Sequence, residues 1–153
     1  MYKDFYKFYT ENKDSLNDLG LILEEDPIEW DYDSTPTNSK TFATTGGDGV
    51  HFSFLTEQGS WNENSPIIMT VPMNWDEPNF ILGKDIKEFL SLGIHFGYFN
   101  LEQLAYDYEG TLEEIESSKQ YEQDLTLKKL QSHFALQPWE SISQQLLQLK
   151  EQY

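Results

Sequence analysis

The sequence predicts an α+β fold: a single domain over residues 1–153, with an antiparallel-rich sheet, helices packed on it and a helical C-terminal part. Three observations predict it. Residues 41–55, TFATTGGDGVHFSFL, set four turn residues between two β-prone runs. That is the composition of a tight hairpin, because glycine accepts the positive φ such turns need. Residues 66–72, PIIMTVP, form a short apolar run bounded by prolines, the pattern of a strand covered on both faces. Beyond Gly83 the hydrophobic period lengthens from two to that of a helix.

Taken in order, Tyr2, Phe5, Tyr9, Leu16 and Leu19, with Phe8 beside them, trace a helical stripe over residues 2–19, frayed near Asn12. After Gly20, Pro27, Pro36 and clusters of Asp, Ser, Thr and Asn interrupt any long element. Short extended pieces are expected at 21–23 and 29–32. In the hairpin, Val50, Phe52 and Phe54 alternate with His51 and Ser53, so the apolar three line one face and the histidine points to the other. A phosphate-cradling loop needs a helix after its glycines, usually led by a lysine, whereas here a second strand follows. PIIMTVP then reads as a central strand and residues 79–82 as a brief extended segment ended by Gly83.

Ile86, Phe89 and Leu90 give a helix over 84–92 that stops at Gly93. Asn100 caps a short helix with Leu101, Leu104, Ala105 and Tyr108 on its stripe. Thr111 and Glu114 make a capping-box pattern that opens a longer helix through Leu125, Leu130 and Phe134. Pro138 fits the first position of the last helix, whose Trp139, Ile142, Leu146, Leu149 and Tyr153 form a seam. Such a seam closes the core or mediates self-association.

The charge balance narrows the partners. There are 27 acidic residues against 10 lysines, a formal net charge of −17. A chain of this kind repels phosphate, which argues against nucleic acid and anionic membranes and leaves a basic protein partner or bound cations open. The same charge also keeps a protein soluble and monomeric. With no cysteine there is no thiolate nucleophile and no cysteine-based metal site. The three histidines, His51, His95 and His133, are far apart in sequence, so neither a metal nor a cofactor is expected. No G-x-S-x-G elbow occurs. With no 18-residue apolar run either, the expected location is the cytoplasm.

Three loop tryptophans stand among acids or amides: EWDYD at 29–33, GSWNEN at 59–64 and NWDEP at 74–78. Tryptophan anchors binding hot spots, and acids around it suit a basic surface. The candidate partner-binding residues are therefore Trp30, Asp31, Asp33, Trp61, Glu63, Trp75 and Asp76. Asp31 and Asp33 could also act as an acid and base pair, a weak signal in so acidic a chain. An alternative is a small-ligand or catalytic pocket near the 46–51 hairpin, built on Asp48 and His51.

The order of these motifs, TFATTGGDGVHFSFL followed by PIIMTVP and NFILGKDIKEFLSL, resembles the SUKH superfamily over about residues 41–92. That superfamily takes in yeast cell-wall and glucan-synthesis regulators and many bacterial immunity proteins. The resemblance implies an α+β domain that acts by binding proteins rather than by catalysis. Bacterial members neutralise secreted toxins, which are often basic nucleases.

Overall fold

A computed structural model describes residues 1–29 and 32–153. The order is α1 (Tyr2–Glu11), α2 (Lys13–Asp18), β1 (Ile22–Ile28), β2 (Ser39–Thr44), β3 (His51–Leu55), β4 (Ile67–Thr70), β5 (Asn79–Gly83) and α3 (Ile86–Phe96). A 3₁₀ helix (Phe99–Ala105), α4 (Tyr108–Ser117), α5 (Leu125–Phe134) and α6 (Ile142–Gln152) complete the chain. The five strands pair antiparallel in chain order, β1-β2-β3-β4-β5. This is the α+β fold the sequence predicts, with β3 at the centre and PIIMTVP as interior strand β4.

Register sorts the side chains onto two faces. Ala43, Phe52, Met69 and Phe80 lie opposite one another across four strands, and their row faces α1 and α3. The Phe89 ring meets Phe42 and Phe52 at 5.9 and 4.8 Å between centroids. The Tyr2 ring lies edge-on to Phe42 and Phe54, and Phe5 reaches Phe134 of α5 at 5.9 Å. Burying each such ring is worth about 1.5–3 kcal/mol. The opposite face carries the rows Thr44, His51, Thr70, Asn79 and Thr41, Ser53, Ile68, Ile81.

Residues 32–38 of the β1–β2 connection cross that second face as a strap. The Tyr32 ring stacks on His51 at 5.5 Å. Thr35 bonds the imidazole at 2.8 Å, and Asn79 on β5 donates to the Ser34 carbonyl at 3.0 Å. Helix α6 packs against β5 and leaves a cleft of about 350 Å³ between the strap and Leu146, floored by Ile68 and Ile81.

Several elements differ from their sequence-based bounds, each for a physical reason. The first helix breaks at Asn12 as expected. Strand β1 is longer than the piece expected at 21–23 and passes through Pro27. It can do so because it is an edge strand whose pairing is irregular between Leu23 and Ile28, where a missing N–H costs no ladder bond. Glu29 and Tyr32 are not in a strand, and the rest of the piece expected at 29–32 lies outside the described residues.

Helix α3 runs through Gly93 rather than stopping there. A Cβ at Gly93 would lie 1.9 Å from Tyr98 Cε1, so this glycine is a slot for the tyrosine ring. The helix ends at Gly97, whose φ of 71° favours glycine. Asn100 caps nothing, since the next segment is a 3₁₀ helix begun one residue earlier. Thr111 is buried inside α4, which is capped by Asp107; the long helix expected through Phe134 is two, with α5 restarted by Asp124, whose Oδ1 accepts the Leu127 N–H at 2.9 Å. Pro138 precedes α6 by several residues. Trp139 is anchored there instead, its backbone N–H donating to His95 Nε2 at 3.0 Å and its indole N–H to the Glu88 carbonyl at 2.9 Å. Ile142, Leu146 and Leu149 face the core, while Tyr153 is exposed.

Candidate functional site

The hairpin turn of residues 45–50 delivers the groups that sequence reading singled out. Asp48 adopts φ 54° between the positive-φ glycines Gly46 and Gly49, as a tight hairpin requires. The turn is wedged: a Cβ on Gly49 would meet the Tyr32 hydroxyl at 2.7 Å, and one on Gly47 the Phe99 ring at 3.3 Å. Its Asp48 side chain is exposed.

His51 points away from Phe52 and Phe54, as the alternation predicts, and is wholly buried. Its Nδ1 faces the Gly49 carbonyl at 2.7 Å. A carbonyl can only accept, so Nδ1 carries the proton and Nε2 accepts from the Thr35 hydroxyl. Burial holds the imidazole pKa below its ordinary value, partly offset by the Gly49 bond, in keeping with a neutral ring. A hydroxyl donating to neutral imidazole is also how nucleophiles are activated. Here Thr35 is buried as well, and the contact serves to stitch the strap to the sheet. Asp48 and His51 therefore leave the turn in different directions, one to solvent and one beneath Tyr32.

The loop tryptophans do not share one location. Trp30 and Asp31 lie outside the described residues. Asp33 is exposed on the strap. Trp61 belongs to the β3–β4 loop, half-buried and stacked on Phe54 at 4.6 Å, with Tyr2 at 5.6 Å. Nearby Glu63 accepts from the Met1 amine. Trp75 and Asp76 sit in the β4–β5 loop, which the meander places at the opposite end of the sheet. Trp75 is 86% exposed and Met73 62%.

At that opposite end the β4–β5 loop, the 45–50 turn and the 3₁₀ helix form one rim. The Asn74 amide donates to the Ala105 carbonyl at 3.0 Å, joining the loop of Trp75 to the end of the 3₁₀ helix just before Tyr106, itself 51% exposed. The backbone N–H groups of Tyr98 and Phe99 both donate to the Leu19 carbonyl, at 2.8 and 2.9 Å, tying the 3₁₀ helix to the end of α2.

Within this rim lies a residue that sequence reading missed. Glu102 is only 6% exposed, and among the described residues its Oε2 is buried with no hydrogen-bond donor. An unmet buried polar group costs on the order of 1–3 kcal/mol, more when charged. Burial, and after it the charge of Asp48, raises the Glu102 pKa. The same two acids help raise that of Tyr106, after desolvation. The signal was hidden by geometry: in a 3₁₀ helix residues i and i+3 eclipse, which puts Glu102 on one ridge with Phe99 and Ala105.

Neither a family model, nor a curated protein, nor a solved structure matches this chain. Among the described residues, no group of three or more His, Cys, Asp or Glu could hold a metal ion, and no helix is long and apolar enough to cross a membrane.

Proposed function

We propose that this chain is a non-catalytic, cytoplasmic protein-binding module of the SUKH type, an immunity protein that neutralises a basic toxin. The observation that carries the reading is the rim around Trp75. A nearly fully exposed tryptophan stands beside Asp76 in segments of acidic sequence, since residues 41–83 and 88–118 contain neither lysine nor arginine and the one lysine that pairs with this loop among the described residues is Lys150, at Glu77. Large exposed aromatics ringed by acids suit a partner whose surface is basic. The net charge of −17 would speed encounter with such a partner at low salt, and the resemblance of residues 41–92 to the superfamily supports the same class of action.

The test is affinity capture from lysate of the source organism across a salt series, read by mass spectrometry. A basic protein retained at low salt, released as the Debye length shrinks below about 8 Å, and toxic when expressed without this chain would establish the reading. Retention of nothing specific at any salt would sink it.

A further inference from the structure

Glu102 has no cation of its own. The ion pairs among the described residues draw on the Met1 amine, Lys40, His133 and Lys150, and only Lys150 reaches the rim's β4–β5 loop, at Glu77, 3.8 Å away. The 45–50 turn packs on the 3₁₀ helix that carries Glu102, a Cβ on Gly47 lying 3.3 Å from the Phe99 ring, so Asp48 and Glu102 belong to neighbouring segments, and no Lys or Arg occurs in the surrounding segments of sequence to compensate. A cation brought to such a pair favours the ionised carboxylates, and its attraction to the buried one is screened less by salt than that to the exposed one.

We propose that Asp48 and Glu102 form the receiving position for an arginine side chain of a basic protein partner, with the exposed Tyr106 beside it and the loop of Trp75 next along the rim. This rests on the binding reading above and names where and how that binding occurs. The approaching group meets Asp48 at the surface first and Glu102 beneath it. Arginine fits better than lysine: its guanidinium is planar and weakly hydrated, bonds carboxylates through a fork of N–H groups, and lies flat on aromatic rings. A metal ion fits less well, since two carboxylates fall short of the group of three that the described residues nowhere supply.

The probe is an acetylated tetra-arginine amide, with tetra-lysine as its comparison, titrated at low and at 150 mM salt into the isotope-labelled full chain and followed by NMR. The expected result is that tetra-arginine moves the resonances of Asp48, Glu102, Tyr106 and the Trp75 indole, and binds several-fold more tightly than tetra-lysine. The double variant Asp48→Asn, Glu102→Gln is expected to weaken binding at least tenfold. A control that removes the same charge from exposed positions of α4, Glu113→Gln with Glu114→Gln, is expected to leave binding within twofold. Glu102→Gln alone should also raise the melting temperature at pH 7, because it replaces a buried carboxyl that has no donor with a group that is never charged; a drop would overturn the premise. Equal weakening by the two double variants overturns the receiving position while leaving a generally acidic binding surface intact. Failure of wild type to bind either peptide at low salt overturns both. Calcium moving the same resonances where tetra-arginine does not would replace arginine with a metal ion and overturn the proposal.

Discussion

The two faces of the sheet are equally dry and are kept dry by different means. On one, phenylalanine rings from β2 and β3 interlock with α1, α3 and, through Phe5, α5. On the other, Thr41, His51, Ser53 and Thr70 are all wholly buried, with residues of the strap lying on His51. The first face is held by area, which is non-directional and tolerant of small shifts. The second is held by a few directional bonds: Thr41 to Ser53 at 2.8 Å, Thr70 to Asn79 at 2.7 Å, Asn79 to Ser34 and Thr35 to His51. Each bond is modest when made and expensive when one partner is removed. The aromatic face should therefore set global stability, while the polar face should set whether the strap stays down.

The largest expected effect tests the first half of that contrast. Phe89→Ala, which removes a ring touching Phe42, Phe52 and Tyr98, should lower unfolding free energy by about 3–5 kcal/mol, measured by urea denaturation. A loss below about 1 kcal/mol would mean the helices contribute little and the contrast is false. Next comes Thr35→Val, which keeps the shape but takes the hydroxyl from His51. A cost of about 1–3 kcal/mol is expected, read by hydrogen exchange as faster exchange in residues 32–38 while the amides of α1 and α3 keep their protection. Uniform loss of protection would show that the two faces open together.

A smaller effect concerns pH. Burial depresses the pKa of His51 and of His95, so the folded chain binds protons less readily than the unfolded chain, whose histidines titrate near 6.5. Stability is then full above about pH 6.5 and falls as pH drops through it. Denaturant midpoints measured from pH 7.5 to 5.5 should decline for the wild type, and His51→Gln should flatten part of the slope; a slope identical in the variant would remove His51 from the account. The smallest effect is at the rim. Trp75→Ala should change stability by no more than about 0.5 kcal/mol, because the side chain is 86% exposed. A greater loss in thermal melting would mean that this tryptophan packs inward and is no binding anchor.

The aromatic face was legible in the sequence and the polar face was not. Alternation of Val50, Phe52 and Phe54 fixed which side of β3 meets the helices, and Asn12 and Gly83 ended their elements as read. What covers the second face depends on where residues 32–38 are laid down, and no periodicity encodes that. Gly93 misled because a glycine that makes room for a neighbouring ring looks the same in sequence as one that ends a helix; the ring, Tyr98, is five residues on. The α4–α5 break lies among polar residues with neither proline nor glycine to mark it, although Asp124 before Leu125 carried a cap signal. Of the site, Trp75 and Asp48 could be named from composition. Glu102 could not, because its burial comes from the meeting of a turn and a 3₁₀ helix far apart in the chain.

The strand order repeats the chain order, and this bears on how the molecule is made. Each strand pairs with the one synthesised just before it, so the sheet can be zipped by successive short closures, none of which waits for distant chain. The contacts of Phe5 with Phe134, and of Asp4 with His133 at 3.2 Å, join the first helix to the fifth across 129 residues for each pair. On a ribosome, α1 and the sheet could therefore come together while the part of the aromatic face that α3 covers is still bare, and α1 would gain its own cover only when α5 emerges. Until then the exposed rings are the segment of this protein most in need of protection from association with other nascent chains.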